Sequence, residues 1–220
     1  MVTTALLAST YFGPVQWYQK LNRYGRCILD RDEHYVKQSY RNRCVIATTQ
    51  GPLSLTVPVA PARRDAGLPL GHTSMADVAV ADHDNWRHLH WNALCSAYGE
   101  SPFFDFYADD LRPFFEQKWE RLFDFNLAIT MKMVELLDMD KAYQDGGTIE
   151  SSQGYLAPGE ARKAGWADFR EAIRPKHPLP DDGFSPRPYY QVYAQKLGFL
   201  PNLSILDLLF NMGPEAVCYL

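Results

Sequence analysis

The sequence predicts an α+β fold, with a mixed β-sheet drawn from the N-terminal half (a βαβ unit plus a hairpin) and packed by helices from the C-terminal half. Three patterns carry that reading. Short apolar runs at residues 5–9 and 27–29 bracket a helical segment that opens at Pro14. Alternating Leu53, Leu55, Val57 and Val59 follow Gln50-Gly51-Pro52, which is turn chemistry. Phe115, Trp119, Leu122, Phe123, Ile129, Met133, Leu136 and Leu137 recur at helical spacing over roughly six turns.

Taken in order, residues 5–9 (ALLAS) read as a buried strand. Pro14 suits a first helical turn, where its missing N–H costs nothing. That helix runs through Val15, Tyr18 and Leu21 and stops at Gly25, before a second strand at 27–29. If the two strands pair they are parallel, joined by a right-handed crossover. Residues 42–49 and 53–59 form the hairpin, 60–74 a surface loop rich in Pro, Gly, Ala and Arg, and 75–81 (MADVAVA) a fifth strand.

The second half reads as helical. Asp82 or Asp84 caps a helix that continues to Tyr98 and ends at Gly99. FFDFYADD after Ser101-Pro102 makes a short helical segment, and Pro113 starts the longest helix, which reaches Met139 and packs across the sheet. Residues 144–159 read as a mobile polar connection and 160–173 as a modest helix. The 175–188 stretch carries five prolines and no periodicity. Further helices are predicted at 190–197, ended by Gly198, and at 204–211, closed by Gly213-Pro214. With no internal repeat, 220 residues fit a single domain over 1–220.

Composition narrows the function. The net charge of −4 speaks against nucleic acid as a partner, since neutralising many phosphates calls for a basic chain. A local cationic pocket for an anionic small molecule is compatible with it. Cys27, Cys44, Cys95 and Cys218 form no C-x-x-C pair, which argues against a zinc ribbon or a disulfide framework. No Lys or Arg precedes Lys20, so no secretory leader is expected. No run reaches the ~18 apolar residues of a membrane span, and a cytoplasmic location is the expectation.

The densest polar constellation is residues 34–43, HYVKQSYRNR. In strand geometry Lys37, Ser39, Arg41 and Arg43 would share one face and form an anion-binding ledge, with Gln38, Tyr40 and Asn42 adding directional groups. The competing reading is a solvated edge strand whose charges deter aggregation. A second constellation, DHDNWRHLHW at 82–91, holds three histidines. Their helical spacing does not converge on one ion, so no metal is predicted. His90 shares a face with Trp86, Ala93 and Ala97. It is either a general acid–base group or a core histidine bonded to a carbonyl.

Aromatic residues at 103–107 read as core, and Asp105 among them needs a cationic partner. Tyr98 and Tyr107 are candidate ligand contacts. Lys176, in the Arg174-Pro175-Lys176-His177 loop, is a candidate closing group, or else part of an ordinary surface loop. P-loop, dinucleotide and nucleophile-elbow signatures are all absent, and no motif names a cofactor.

HYVKQSYRNRC, the following G-x-L-x-L-x-V-P-V strand, HDNWRHLHWNALCSAYGESPFFDFYADD, LFDFNLAI and the tail YYQVYAQKLGFLPNLSILDLLFNMGPE together resemble the WbqC-like family of bacterial proteins. The likeness runs from the first strand to Glu215. Founding members of that family lie in gene clusters for O-antigen polysaccharide. The resemblance therefore implies a transfer step on a nucleotide-activated or amino sugar, such as attachment of an amino acid or acyl group. It carries over no catalytic residues. Read from the residues, Lys37, Gln38, Tyr40, Arg41, Asn42, Arg43, Tyr98, Tyr107 and Lys176 bind the substrate, while His90 acts as base and Asp105 orients it. The alternative is a binding module without chemistry.

Overall fold

The computed structural model describes residues 4–61, 69–139, 147–157 and 159–220. β1 (Thr4–Ala8) is buried at every position. α1 (Val15–Arg23) follows Pro14 and turns Trp17, Tyr18, Lys20 and Leu21 inward. β2 (Arg26–Asp30) returns parallel to β1, with Leu6 opposite Ile28 and Ala8 opposite Asp30. The βαβ reading of the first thirty residues therefore holds.

β3 (Arg43–Thr48) and β4 (Gly51–Thr56) form the expected antiparallel hairpin. Its turn is Thr49-Gln50, and Gly51 takes a φ of 109°. The second strand stops at Thr56. Val59 belongs instead to β5 (Val59–Pro61), which pairs with β6 (Val78–Val80). α2 (Trp86–Tyr98) ends at Gly99 as predicted, but neither Asp82 nor Asp84 caps it. Asp82 binds Arg87 and Lys118 instead, and Asp84 and Asn85 enter the helix at positive φ.

α3 (Phe104–Leu111) matches the short helical segment. The predicted long helix is broken into α4 (Pro113–Glu116) and α5 (Leu122–Leu136). Between them the Glu120 carbonyl accepts from the Val80 N–H at 3.0 Å, and Arg121 bridges Ala79. The backbone there pairs with the edge of β6 rather than with itself. Trp119 still reaches the core by stacking on Phe114, so the apolar spacing survived while the helix did not.

The largest departure lies further on. Within the predicted polar connection, β7 (Thr148–Ser151) adds parallel to β2. Residues 144–146 and 158 of that connection lie outside the described residues. The predicted helix over 160–173 shrinks to α6 (Glu160–Lys163), and β8 (Ala167–Asp168) adds parallel to β1. Both strands are too short and too polar to show a period; pairing across the sheet supplies what propensity does not. The last α-helices are α7 (Ala194–Leu197), shorter than predicted, and α8 (Ile205–Met212), whose first turn is capped by the Ser204 hydroxyl; a 3-10 helix over Gly213–Tyr219 follows.

The fold is α+β. Its strands separate into a parallel sheet, ordered β7-β2-β1-β8, and two antiparallel ribbons. The sheet draws on both halves of the chain, not the first alone. One of its faces packs against the aromatic core of Tyr11, Trp17, Tyr18, Phe125 and Phe210. The other carries only Leu6, Ile28 and Ala161, with Leu156 and Trp166 packed on them. Among the described residues no helix is long and apolar enough to cross a membrane.

Candidate functional site

Because the four strands are parallel, their carboxyl ends share one edge, which is where open parallel sheets gather ligands. Asp30 ends β2 and is fully buried. Its Oδ1 accepts from the backbone N–H of Asp32 (3.2 Å) and Glu33 (3.1 Å) and from the Ser152 hydroxyl (3.1 Å). Its Oδ2 accepts from Arg170 Nη1 at 2.6 Å. Arg170 follows β8 and forks onto Asp168, Nε to Oδ1 at 3.0 Å and Nη2 to Oδ2 at 2.7 Å. Burial works against its charge, but Asp168 and Asp30 more than offset this and keep it protonated.

A second buried pair stands beside the first. Arg41 Nε donates to Glu33 Oε1 at 2.8 Å, and Nη2 donates to Oε2. Burial pushes the Glu33 carboxyl above its usual range, and Arg41 offsets this only in part. Among the described residues Arg41 Nη1 has no hydrogen-bond partner. Asn126 on α5 fixes the Arg41 backbone by donating to its carbonyl at 2.8 Å.

Both pairs border a cleft of about 410 Å³, where Glu33, Arg41, Asp168 and Arg170 line it together with His34, Tyr155, Arg162 and Leu179. His34 and Tyr155 stack, with centroids 5.5 Å apart and planes at 23°. Arg162 is exposed and forms no ion pair among the described residues. The cleft thus offers two guanidinium groups with donors to spare, an imidazole, a phenol and carboxylates that are already engaged. Among the described residues no group of three or more His, Cys, Asp and Glu could hold a metal.

The residues singled out from the sequence divide. Residues 37–42 turn rather than extend, with Gln38 at a φ of 55°, so the predicted single strand face does not form. Lys37 and Gln38 are exposed, whereas Ser39 and Arg41 are buried. Arg41 reaches the cleft. Lys176 and Gln38 meet, Nζ donating to Oε1 at 3.0 Å. The Tyr40 carbonyl accepts from the Tyr11 N–H, and Asn42 Nδ2 donates to the Val57 carbonyl, which ties the loop down. Arg43 lies on the hairpin, where Nε donates to Thr56 Oγ1 at 3.1 Å.

His90 and Asp105 are not brought together. His90 is 6% exposed and pairs Nδ1 with the Tyr11 hydroxyl at 2.9 Å. Burial drives its imidazole down to about 4, against a hydrogen bond to the Thr56 backbone. Such a ring is neutral and enclosed, the core-histidine reading of this position. Asp105 sits exposed in the first turn of α3, so it needs no buried cation. Tyr98 is buried on Asp207, and Tyr107 is buried in the core.

Sequence reading passed over Asp30, Glu33, Ser152, Tyr155, Arg162, Asp168 and Arg170. Asp30 carried a usable signal, an acidic residue directly after a buried run. Arg170 carried none, because β8 is two residues long.

Fold and site together define an α+β protein with a charged cleft at the carboxyl edge of a parallel sheet. The chain belongs to the WbqC-like protein family, whose model matches residues 9–161. That match includes Asp30, Glu33, Arg41 and Asn126 and stops before Arg170. The chain is also similar to the uncharacterized protein Rv1507c of Mycobacterium tuberculosis (strain ATCC 25618 / H37Rv), 27% identical over 252 residues that cover 100% of this chain and 98% of the relative. No solved structure matches it.

Proposed function

We propose that the protein is a cytoplasmic transferase that binds a sugar nucleotide or an amino-sugar phosphate in the sheet-edge cleft and attaches an acyl or amino-acyl group to it. The observation that supports this is the half-engaged guanidinium of Arg41. Glu33 holds two of its three nitrogens, and Nη1, on a residue lining the cleft, has no partner among the described residues. A guanidinium locked in orientation by a buried carboxylate is preorganised to receive an anion. Arg162 supplies a second cation, and the stacked His34–Tyr155 pair supplies a surface for a ring.

His34 takes the role first given to His90. It is the imidazole that lines the cleft, placed to accept the proton of a sugar amine or hydroxyl. As that nitrogen or oxygen bonds to the carbonyl carbon of an acyl thioester, the carbon–sulfur bond breaks and the thiolate leaves with the electron pair. Lys176 and Gln38 pair with each other on neighbouring exposed loops and do not line this cleft, so they take no part in the proposed binding set.

Thermal unfolding against nucleotide sugars and sugar phosphates tests the reading, with Arg162→Ala and His34→Gln alongside. A ligand at 100 times its Kd stabilises the wild type by about 2.7 kcal/mol. Arg162→Ala should lose that shift. His34→Gln should weaken binding less than Arg162→Ala does and lose transfer, measured as thiol release from an acyl thioester. Absence of any shift across the panel, or a shift that survives in Arg162→Ala, overturns the assignment.

A further inference from the structure

The histidine- and tryptophan-rich segment at 82–91 takes no part in the sheet-edge cleft. It borders a separate one of about 390 Å³, between α2, the α3–α4 junction and the 117–121 link. Three cations line this cleft from three different elements: Arg87, Arg112 and Lys118. Two carboxylates face them. Asp82 is shared, accepting from Arg87 Nη1 at 2.5 Å and from Lys118 Nζ at 2.6 Å. Glu116 accepts from Arg112 Nε at 2.7 Å. Three positive charges against two negative leave an excess of one.

The donors are far from used up. Arg87 Nε serves the Gln117 carbonyl at 3.0 Å, so Nη2 has no partner among the described residues. Among the described residues Arg112 uses Nε alone, leaving both terminal nitrogens, and Lys118 pairs with Asp82 only, leaving two of its N–H groups. Aromatic faces hold the arginines in place. The Arg87 guanidinium lies 4.7 Å from the Trp86 ring centroid and that of Arg112 lies 6.0 Å from Trp91. The apolar lining is Trp91 and Phe115, whose ring centroids lie 5.5 Å apart.

We propose that this cleft binds a phosphate monoester, with the phosphate among Arg87, Arg112 and Lys118 and the attached ring against Trp91. A carboxylate would engage one planar fork and leave the others idle. A phosphate brings three acceptor oxygens and close to two charges, which matches donors converging from three elements. Exposed ion pairs such as those of Asp82 and Glu116 are weak, so a dianion exchanges with them readily.

The test is a titration of isotope-labelled protein with inorganic phosphate, adenosine monophosphate and acetate at matched ionic strength, followed through the Trp91 indole and the backbone amides of α2. Phosphate and the nucleotide should both shift these signals, the nucleotide at lower concentration, and acetate should not. Arg112→Ala and Lys118→Ala, both at exposed positions, should each weaken binding by about tenfold, the loss of one charge-assisted bond. Arg162→Ala should leave it unchanged, which separates this site from the sheet-edge cleft. Silence of both phosphate probes, an equal response to acetate, or full binding by the Arg112→Ala, Lys118→Ala double variant would overturn the proposal.

Discussion

Asp30 at the sheet edge and Asp207 in α8 are both carboxylates with 0% exposure, and each gathers partners distant in sequence. Their surroundings differ in kind. Asp207 accepts from the hydroxyls of Tyr98 (2.8 Å) and Tyr189 (2.7 Å) and from Gln191 Nε2 (3.0 Å), all neutral groups. Tyr98 in turn accepts from the Ala47 N–H, so this cluster closes on itself. Asp30 pairs with a cation, Arg170, beside a second pair, Glu33 and Arg41, and those three residues line an open cleft. The neutral network is closed, whereas the charged one lies beside a cleft, where in the proposed function its spare donors serve a ligand.

The comparison can be tested most severely at Glu33. Glu33→Ala would leave Arg41 buried without its counter-charge and should cost about 3–5 kcal/mol, read from urea unfolding. A loss under 1 kcal/mol would mean that the pair is not buried in solution. The closed interior also predicts a pH response at His90. Its folded-state value of about 4 lies below the ordinary 6.5, so the neutral ring favours the folded state. That contribution is present above about 6.5 and is lost as pH falls toward 4, amounting to about 3 kcal/mol. Wild type should lose stability over that window relative to His90→Asn, and parallel curves would contradict the burial.

Tyr98→Phe removes the bond to the Asp207 carboxylate and the acceptor of the Ala47 N–H and should cost about 1.5–3 kcal/mol, with ligand binding at the sheet edge unaffected. If binding fell too, the two networks would be coupled rather than distinct. The smallest stability effect is expected at Arg162. Arg162→Ala should lie within about 0.5 kcal/mol of wild type in unfolding, as surface changes usually do, while abolishing the ligand shift. Together the two variants separate a cluster that holds the fold from a group that serves a ligand.

How far the sequence disclosed the site follows from which residues act locally. Arg41 was legible because its neighbours packed an unusual density of polar groups into the segment after a buried strand. The strand face drawn through Lys37, Ser39, Arg41 and Arg43 was not real, since Gln38 takes a left-handed turn that period-two reasoning does not anticipate. His90 looked available because its helix face was read without Tyr11, which lies 79 residues earlier in the chain and occupies its Nδ1. Arg170 meets Asp30 across 140 positions, and no local pattern encodes such a distance.

By itself the sequence determined the βαβ opening, the hairpin, the helices ending at Gly99 and beginning after Ser204, and the family. Each rests on apolar periodicity or on a turn or cap residue acting within a few positions. Only the tertiary structure decided that Thr148–Ser151 and Ala167–Asp168 are strands, that the long helix breaks before Leu122, and that Asp30, Glu33, Arg41 and Arg170 meet beside one cleft. Those outcomes depend on hydrogen bonds and ion pairs between distant segments. Their energies exist only once the parallel sheet has placed its carboxyl ends side by side.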